Sequence, residues 1–135
     1  MTAKLLSFVY YLAVCALLMC PFASAQGPTI TSFDPPGSLQ TVPLSINTAG
    51  SVTGYYSDGT AVHGFLRTSD GSITSFDGPG GTGTNPYSIN AAGAITGSYI
   101  ASRGFFGFHG FLREPDGSLA TFDPPGSIFW SEPQN

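Results

Sequence analysis

His63-Gly64-Phe65-Leu66-Arg67, Asp70-Gly71-Ser72, Phe76-Asp77 and Pro79-Gly80 form a series that the chain writes a second time. It returns as His109-Gly110-Phe111-Leu112-Arg113, Asp116-Gly117-Ser118, Phe122-Asp123 and Pro125-Gly126. The likeness extends upstream: residues 33–56 and 76–99 are identical at 14 of 24 positions, which marks a duplicated unit rather than two stretches of similar composition. The marker aromatic recurs at Phe33, Phe76 and Phe122, at spacings of 43 and 46. The three extra residues sit in one place, where 57–61 of the first copy becomes 100–107 of the second.

Within each copy apolar residues alternate with a period of two rather than 3.6, and Gly, Pro, Asn and Asp interrupt them at short intervals. That is the pattern of short strands joined by tight turns. Strands are expected at 43–47, 51–56, 62–68 and 72–77, then at 87–90, 94–99, 108–113 and 118–123, with an additional leading strand at 30–34. Pro35-Pro36-Gly37 and Pro79-Gly80 stop strands, since proline donates nothing to a ladder. Asn47 to Gly50, Asp70-Gly71, Ala91-Ala92-Gly93 and Asp116-Gly117 read as turns, and Asp58-Gly59 as a hairpin of type I′. No helix is expected after residue 25. The fold class is therefore all-β: two tandem four-stranded, blade-like antiparallel repeats, a partial β-propeller, preceded by a cleaved N-terminal signal helix. Repeat 1 covers about residues 35–77 and repeat 2 about 78–123, with a truncated tail at 124–135.

The unit resembles the bacterial extracellular HAF-type repeat family, whose pattern runs roughly Gly-Ile-Asn, Gly-x-Val-x-Gly, His-Ala-Phe-Leu-Trp. The matching residues are Ser45-Ile46-Asn47, Gly50, Val52, Gly54 and His63-Gly64-Phe65-Leu66, then Ser88-Ile89-Asn90, Gly93, Ile95, Gly97 and His109-Gly110-Phe111-Leu112. Gly64 and Gly110 stand where the family often has Ala, and Arg67 and Arg113 where Trp is common. The resemblance implies secretion and propeller-like β repeats; it implies no activity.

The first segment reads as an address. Lys4 precedes an apolar run from Leu5 to Met19, and Ala23-Ser24-Ala25 follows. The run is short of the ~20 residues of a membrane span, and the small-x-small triplet fits a signal-peptide cleavage site. A retained membrane anchor is the competing reading, weakened by Pro21 and the triplet. Cleavage after Ala25 removes both cysteines, Cys15 and Cys20, so the domain 26–135 carries no disulfide. It keeps three arginines against eight acids, a net charge of −5, which argues against nucleic acid and anionic membrane surfaces as partners. A secreted or periplasmic location follows from the address.

Residues kept in both copies are best explained by architecture, and residues unique to one copy are free to serve a site. His63 and His109 tempt as metal ligands, but no second histidine, cysteine or carboxylate pair accompanies them at ligand spacing, and a structural histidine bonded to a neighbouring strand's backbone is expected. Asp34, Asp77 and Asp123 read as corner residues accepting backbone N–H groups, weighed against a calcium site; Asp58, Asp70 and Asp116 read as hairpin residues. Arg67 and Arg113 are expected to bridge or snorkel over the strand face. Neither a phosphate loop nor a Gly-x-Ser-x-Gly elbow is present. No catalytic residue, metal or cofactor is therefore assigned. The one candidate contact loop is the enlarged one, with Tyr99, Arg103, Phe105 and Phe106. Arginine flanked by aromatics suits a protein or carbohydrate ligand.

The leading expectation is a non-catalytic binding, adhesion or structural module of a bacterial envelope. The alternatives are a fragment of a larger propeller hydrolase or lyase, or a decayed repeat remnant. Two blades do not close a ring of ~4–8, so either a homo-oligomer completes the ring or the chain is a marginal remnant with exposed edges. N-terminal sequencing of the exported chain should read Gln26 as its first residue; retention of residues 1–25 would refute the address.

Overall fold

Alternating apolar residues broken by glycine favour short strands closed by hairpins, because each turn places the next strand against the last. The protein, described here by a computed structural model, is defined over residues 27–101 and 107–125. The expected signal helix lies outside these residues. Eight strands are present: β1 (Gln40–Ile46), β2 (Val52–Ser57), β3 (Val62–Arg67), β4 (Ile73–Phe76), β5 (Gly81–Ile89), β6 (Ile95–Ala101), β7 (Phe108–Arg113) and β8 (Leu119–Phe122). Among the described residues there is no helix.

The strands form one open eight-stranded sheet. β1 to β4 pair antiparallel in chain order, and β5 to β8 repeat that meander. The two meanders meet in the ladder at a single parallel bridge, Val62 to Gly83. One bridge carries little, so the cohesion between them comes from side chains.

Four of the turns share one design. The N–H of Gly50, Gly71, Gly93 and Gly117 bonds the carbonyl three residues back, at Asn47, Thr68, Asn90 and Glu114. Each of these glycines has φ between 80° and 95°. This is the three-residue hairpin in which a turn ends on a left-handed glycine and a bulge. The Asp58-Gly59 turn differs from the type I′ expected for it. Type I′ needs positive φ at both central residues, and Gly59 is the only residue there that has it. The Asp58 side chain holds this loop instead, through Thr60 and Ala61.

Two other expectations are corrected. Residues 30–34 enter no ladder, and Ile30 is fully exposed. β5 begins at Gly81, six residues before the strand expected at 87–90, at the cost of irregular register near Gly83 and Pro86. Extended backbone suits glycine when a neighbouring sheet supplies the ladder and the cover.

Side-chain alternation gives each meander two faces. The front face of the first carries Val52, Gly54, Tyr56, His63, Phe65 and Arg67; the back carries Thr53, Gly64, Leu66 and Phe76. In the second, Ile95, Gly97, Tyr99, His109, Phe111 and Arg113 lie in front, with Gly110, Leu112 and Phe122 behind. The back of the first packs on the front of the second. Leu66 and Phe76 press against the core of Ile89, Ile95, Tyr99 and Phe111. Phe76 meets Phe111 edge-on at 6.0 Å, and the Arg113 guanidinium covers the Phe76 ring at 5.0 Å. The same arrangement stands one repeat earlier, where Phe33 meets Phe65 at 5.9 Å beneath Arg67.

Glycine is required where strands come closest. A Cβ on Gly97 would lie 2.2 Å from the Asn85 carbonyl oxygen, and one on Gly54 2.1 Å from that of Val42. Backbone cannot step aside as a side chain can. Gly97→Ala should therefore destabilise the chain by about 1–3 kcal/mol, as overpacking does. Gly83→Ala, whose Cβ would meet only Ile100 at 3.4 Å, should cost distinctly less. Denaturant midpoints of the two variants check the contrast.

Candidate functional site: a repeated tyrosine, histidine and aspartate clasp

The residues that both copies share and that could do chemistry converge at one place in each meander. His63, second residue of β3, lies opposite Tyr56 of β2, and their rings lie 5.1 Å apart. His109, second residue of β7, lies opposite Tyr99 of β6, again at 5.1 Å and stacked at 29°. The aspartate following β4 or β8 closes the group. His63 Nδ1 lies 2.9 Å from Asp77 Oδ1, and His109 Nδ1 lies 2.9 Å from Asp123 Oδ2. A carboxylate only accepts, so Nδ1–H donates in both. Both histidines are thus bonded to aspartate side chains, where the sequence suggested the neighbouring backbone; His63 uses carboxylates at both ring nitrogens.

The aspartates depart from expectation in the same way. Asp77 and Asp123 hold imidazoles rather than capping backbone at their corners. Asp77 also accepts from Thr84 Oγ1, a fully buried hydroxyl that in turn accepts the Gly78 N–H at 3.0 Å. One repeat earlier, Thr41 Oγ1 donates to Asp34 Oδ1 at 2.7 Å. The hairpin aspartates behave as read. Asp58 accepts from Thr60 and Ala61, Asp70 from Ser72, and Asp116 from Ser118.

The first copy brings a second carboxylate to its histidine. There His63 Nε2 faces Asp58 Oδ2 at 3.3 Å, so both ring nitrogens point at carboxylates. Only the imidazolium donates from both. Burial pulls the His63 pKa down, but the hydrogen bond and charge of Asp77, then those of Asp58, outweigh it and raise the pKa above its ordinary 6.5. Asp58 is held well below the carboxylate range, first by the N–H groups of Ala61 and Thr60, then by the Thr60 hydroxyl. The second copy has its enlarged loop where Asp58 stands in the first.

Tyr56 OH reaches Ser75 Oγ at 3.0 Å, tying β2 to β4 across β3. These tyrosines are the partners that sequence reasoning missed. The signal was present, since Tyr56 and Tyr99 align between the copies, but nothing in spacing says that a tyrosine covers a cross-strand histidine. Of the candidate contact loop, Tyr99 is buried in the core against His109, so its side chain serves the clasp and not an exposed surface. Arg103, Phe105 and Phe106 lie outside the described residues. Phe108, at the loop's exit, is 67% exposed. Among the described residues no three His, Cys, Asp or Glu side chains gather as a metal site. Arg67 and Arg113 stack on phenylalanine and reach the carbonyls of Thr68 and Glu114.

No family model, curated protein or solved structure matches the chain.

Because the folded pKa of His63 is raised, the fold favours its protonated form. That contribution is full below the unfolded pKa of ~6.5 and fades as pH climbs through the folded value. The stability difference between the native chain and His63→Gln should therefore shrink on going from about pH 6 to about pH 8.5. Thermal unfolding across that range measures it, and a constant or growing difference contradicts the assignment.

Proposed function

We propose that this is an exported, non-catalytic β-repeat module with blade-like units, presenting a surface for protein or carbohydrate binding in a bacterial envelope. One observation carries the reading: the repeated polar residues are occupied by the fold itself. His63 and His109 close on Asp77 and Asp123, and Arg67 and Arg113 cover Phe33 and Phe76. Such residues hold strands in place, and they do so alike in both copies. Variation concentrates instead at the enlarged loop, which leads into β7 through exposed Phe108. A rigid sheet carrying a variable, aromatic-flanked loop is the usual physical plan of a recognition module.

The resemblance to extracellular HAF-type repeats and the leader at residues 1–25 support export. Net negative charge in the remainder, with three arginines spread along it, supports a neutral or mixed-polarity ligand over an acidic polymer.

The test is calorimetric titration of the exported chain with a panel of soluble cell-wall and capsular polysaccharides and envelope proteins, with product release followed in the same samples. Saturable binding without product is expected. Deleting residues 102–106 should weaken it at least tenfold while far-UV dichroism stays unchanged. Release of cleaved product would overturn the reading in favour of an enzyme.

A further inference from the structure

Among the described residues the two meanders use each other's faces in only one direction, and this leaves one face of each kind without a covering meander. The back of the first meander is covered by the front of the second. The front of the first and the back of the second have no such cover from a meander. Aligned residues show the difference. Ile89 is 6% exposed whereas Ile46, its counterpart, is 67% exposed. Pro86 is fully buried and Pro43 is exposed. Phe76 is half-buried against Phe111, and its counterpart Phe122 is 56% exposed.

The open front is a shaped surface. Phe33, Pro43, Leu44, Ser45, Ile46 and Val52 line an apolar groove of ≈350 Å³. Leu66 packs against the corresponding core residues of the second meander. The residue aligned with Leu66 on the open back face is Leu112, which lies beside Phe122.

We propose that the open back face of one chain docks on the open front face of a second copy, reproducing the contact already made inside the chain. Leu112 enters the groove beside Ile46 and Val52. Phe122 takes the place on Phe65 and beneath Arg67 that Phe33 holds within the single chain. The exchange is favourable in form: Phe33 precedes the first strand on unpaired backbone, whereas Phe122 is fixed in β8 opposite Gly110. Releasing Phe33 breaks no ladder, while Phe122 arrives already ordered by its strand. The interface joins unlike faces, so association runs head to tail and either closes into a ring or continues as a filament. Rings of ~4–8 four-stranded units correspond to roughly two to four chains.

Light scattering behind size exclusion tests this on the exported chain alone, so its outcome is independent of any ligand. The expected mass is a small multiple of the monomer or a concentration-dependent ladder; a monomer at about 100 μM overturns the proposal. Ile46→Glu spoils the front face and Phe122→Glu the back, with Leu112→Glu as a second back-face variant should Phe122→Glu lose its far-UV spectrum. Each is expected to be monomeric. Mixed in equal amounts, a front and a back variant retain one sound face each and should form a dimer that neither forms alone. Absence of that rescue overturns the head-to-tail geometry. Phe33→Ala should lower the concentration of half-association by about fivefold or more; weaker association means that Phe33 belongs to the interface and refutes the exchange.

Discussion

An apolar sheet face has to be covered, and here the cover is the phenylalanine that ends the preceding repeat. Phe76 lies between the Phe111 ring and the Arg113 guanidinium, and the rest of the contact between the meanders is arranged around it. Fully burying a phenylalanine contributes about 1.5–3 kcal/mol, and Phe76, half-buried, gains part of that. The stacked guanidinium adds about 0.5–2 kcal/mol. The two contributions are thus of similar size, and the arginine also supplies direction, since a planar cation covers one ring in one orientation. Arg113 is itself nearly buried, at 8% exposure, and tolerates it by reaching the Glu114 carbonyl. The ladder contributes little across this boundary: with one bridge between the meanders, backbone pairing does not hold them together.

The glycines follow from the same constraint. Gly64 and Gly110 lie opposite Phe76 and Phe122, and their missing side chains let those rings lie flat over β3 and β7. An added Cβ on Gly64 would come within 2.9 Å of both the Phe76 ring and Pro86 of the next meander. At Gly64 this chain brings aromatic and proline closer than alanine permits. The position is thus tuned to the face that covers it.

The clasp is the polar counterpart of that packing. Histidine, tyrosine and aspartate from three adjacent strands or their ends close the edge at which each meander would fray. A charged hydrogen bond at 2.9 Å there is worth more than a neutral one, and both partners are kept partly out of water. The first copy differs in placing Asp58 against the same imidazole. Local sequence, not architecture, makes that difference: a five-residue stretch places Asp58 within reach, and its eight-residue counterpart has no aspartate.

The four strands of each copy, their order and the positions of four glycine-ended hairpins were legible in the chain, because alternation and turn chemistry are local; the additional strand expected at 30–34 did not form. So was the division between repeated and variable residues. The partners of the repeated residues were not. That His63 takes Asp77, fourteen residues away, and that Tyr56 covers it, depend on register between strands, which the chain does not display. The extension of β5 into a glycine-rich stretch escaped for a similar reason, since extended glycine is stable only against a neighbour. Above all, Ile46 and Ile89 stand in matching sequence contexts and end at opposite extremes of exposure. The sequence by itself determined which residues are alike; tertiary structure decided which of them are covered, because burial belongs to the face that arrives from elsewhere and not to the residue that receives it.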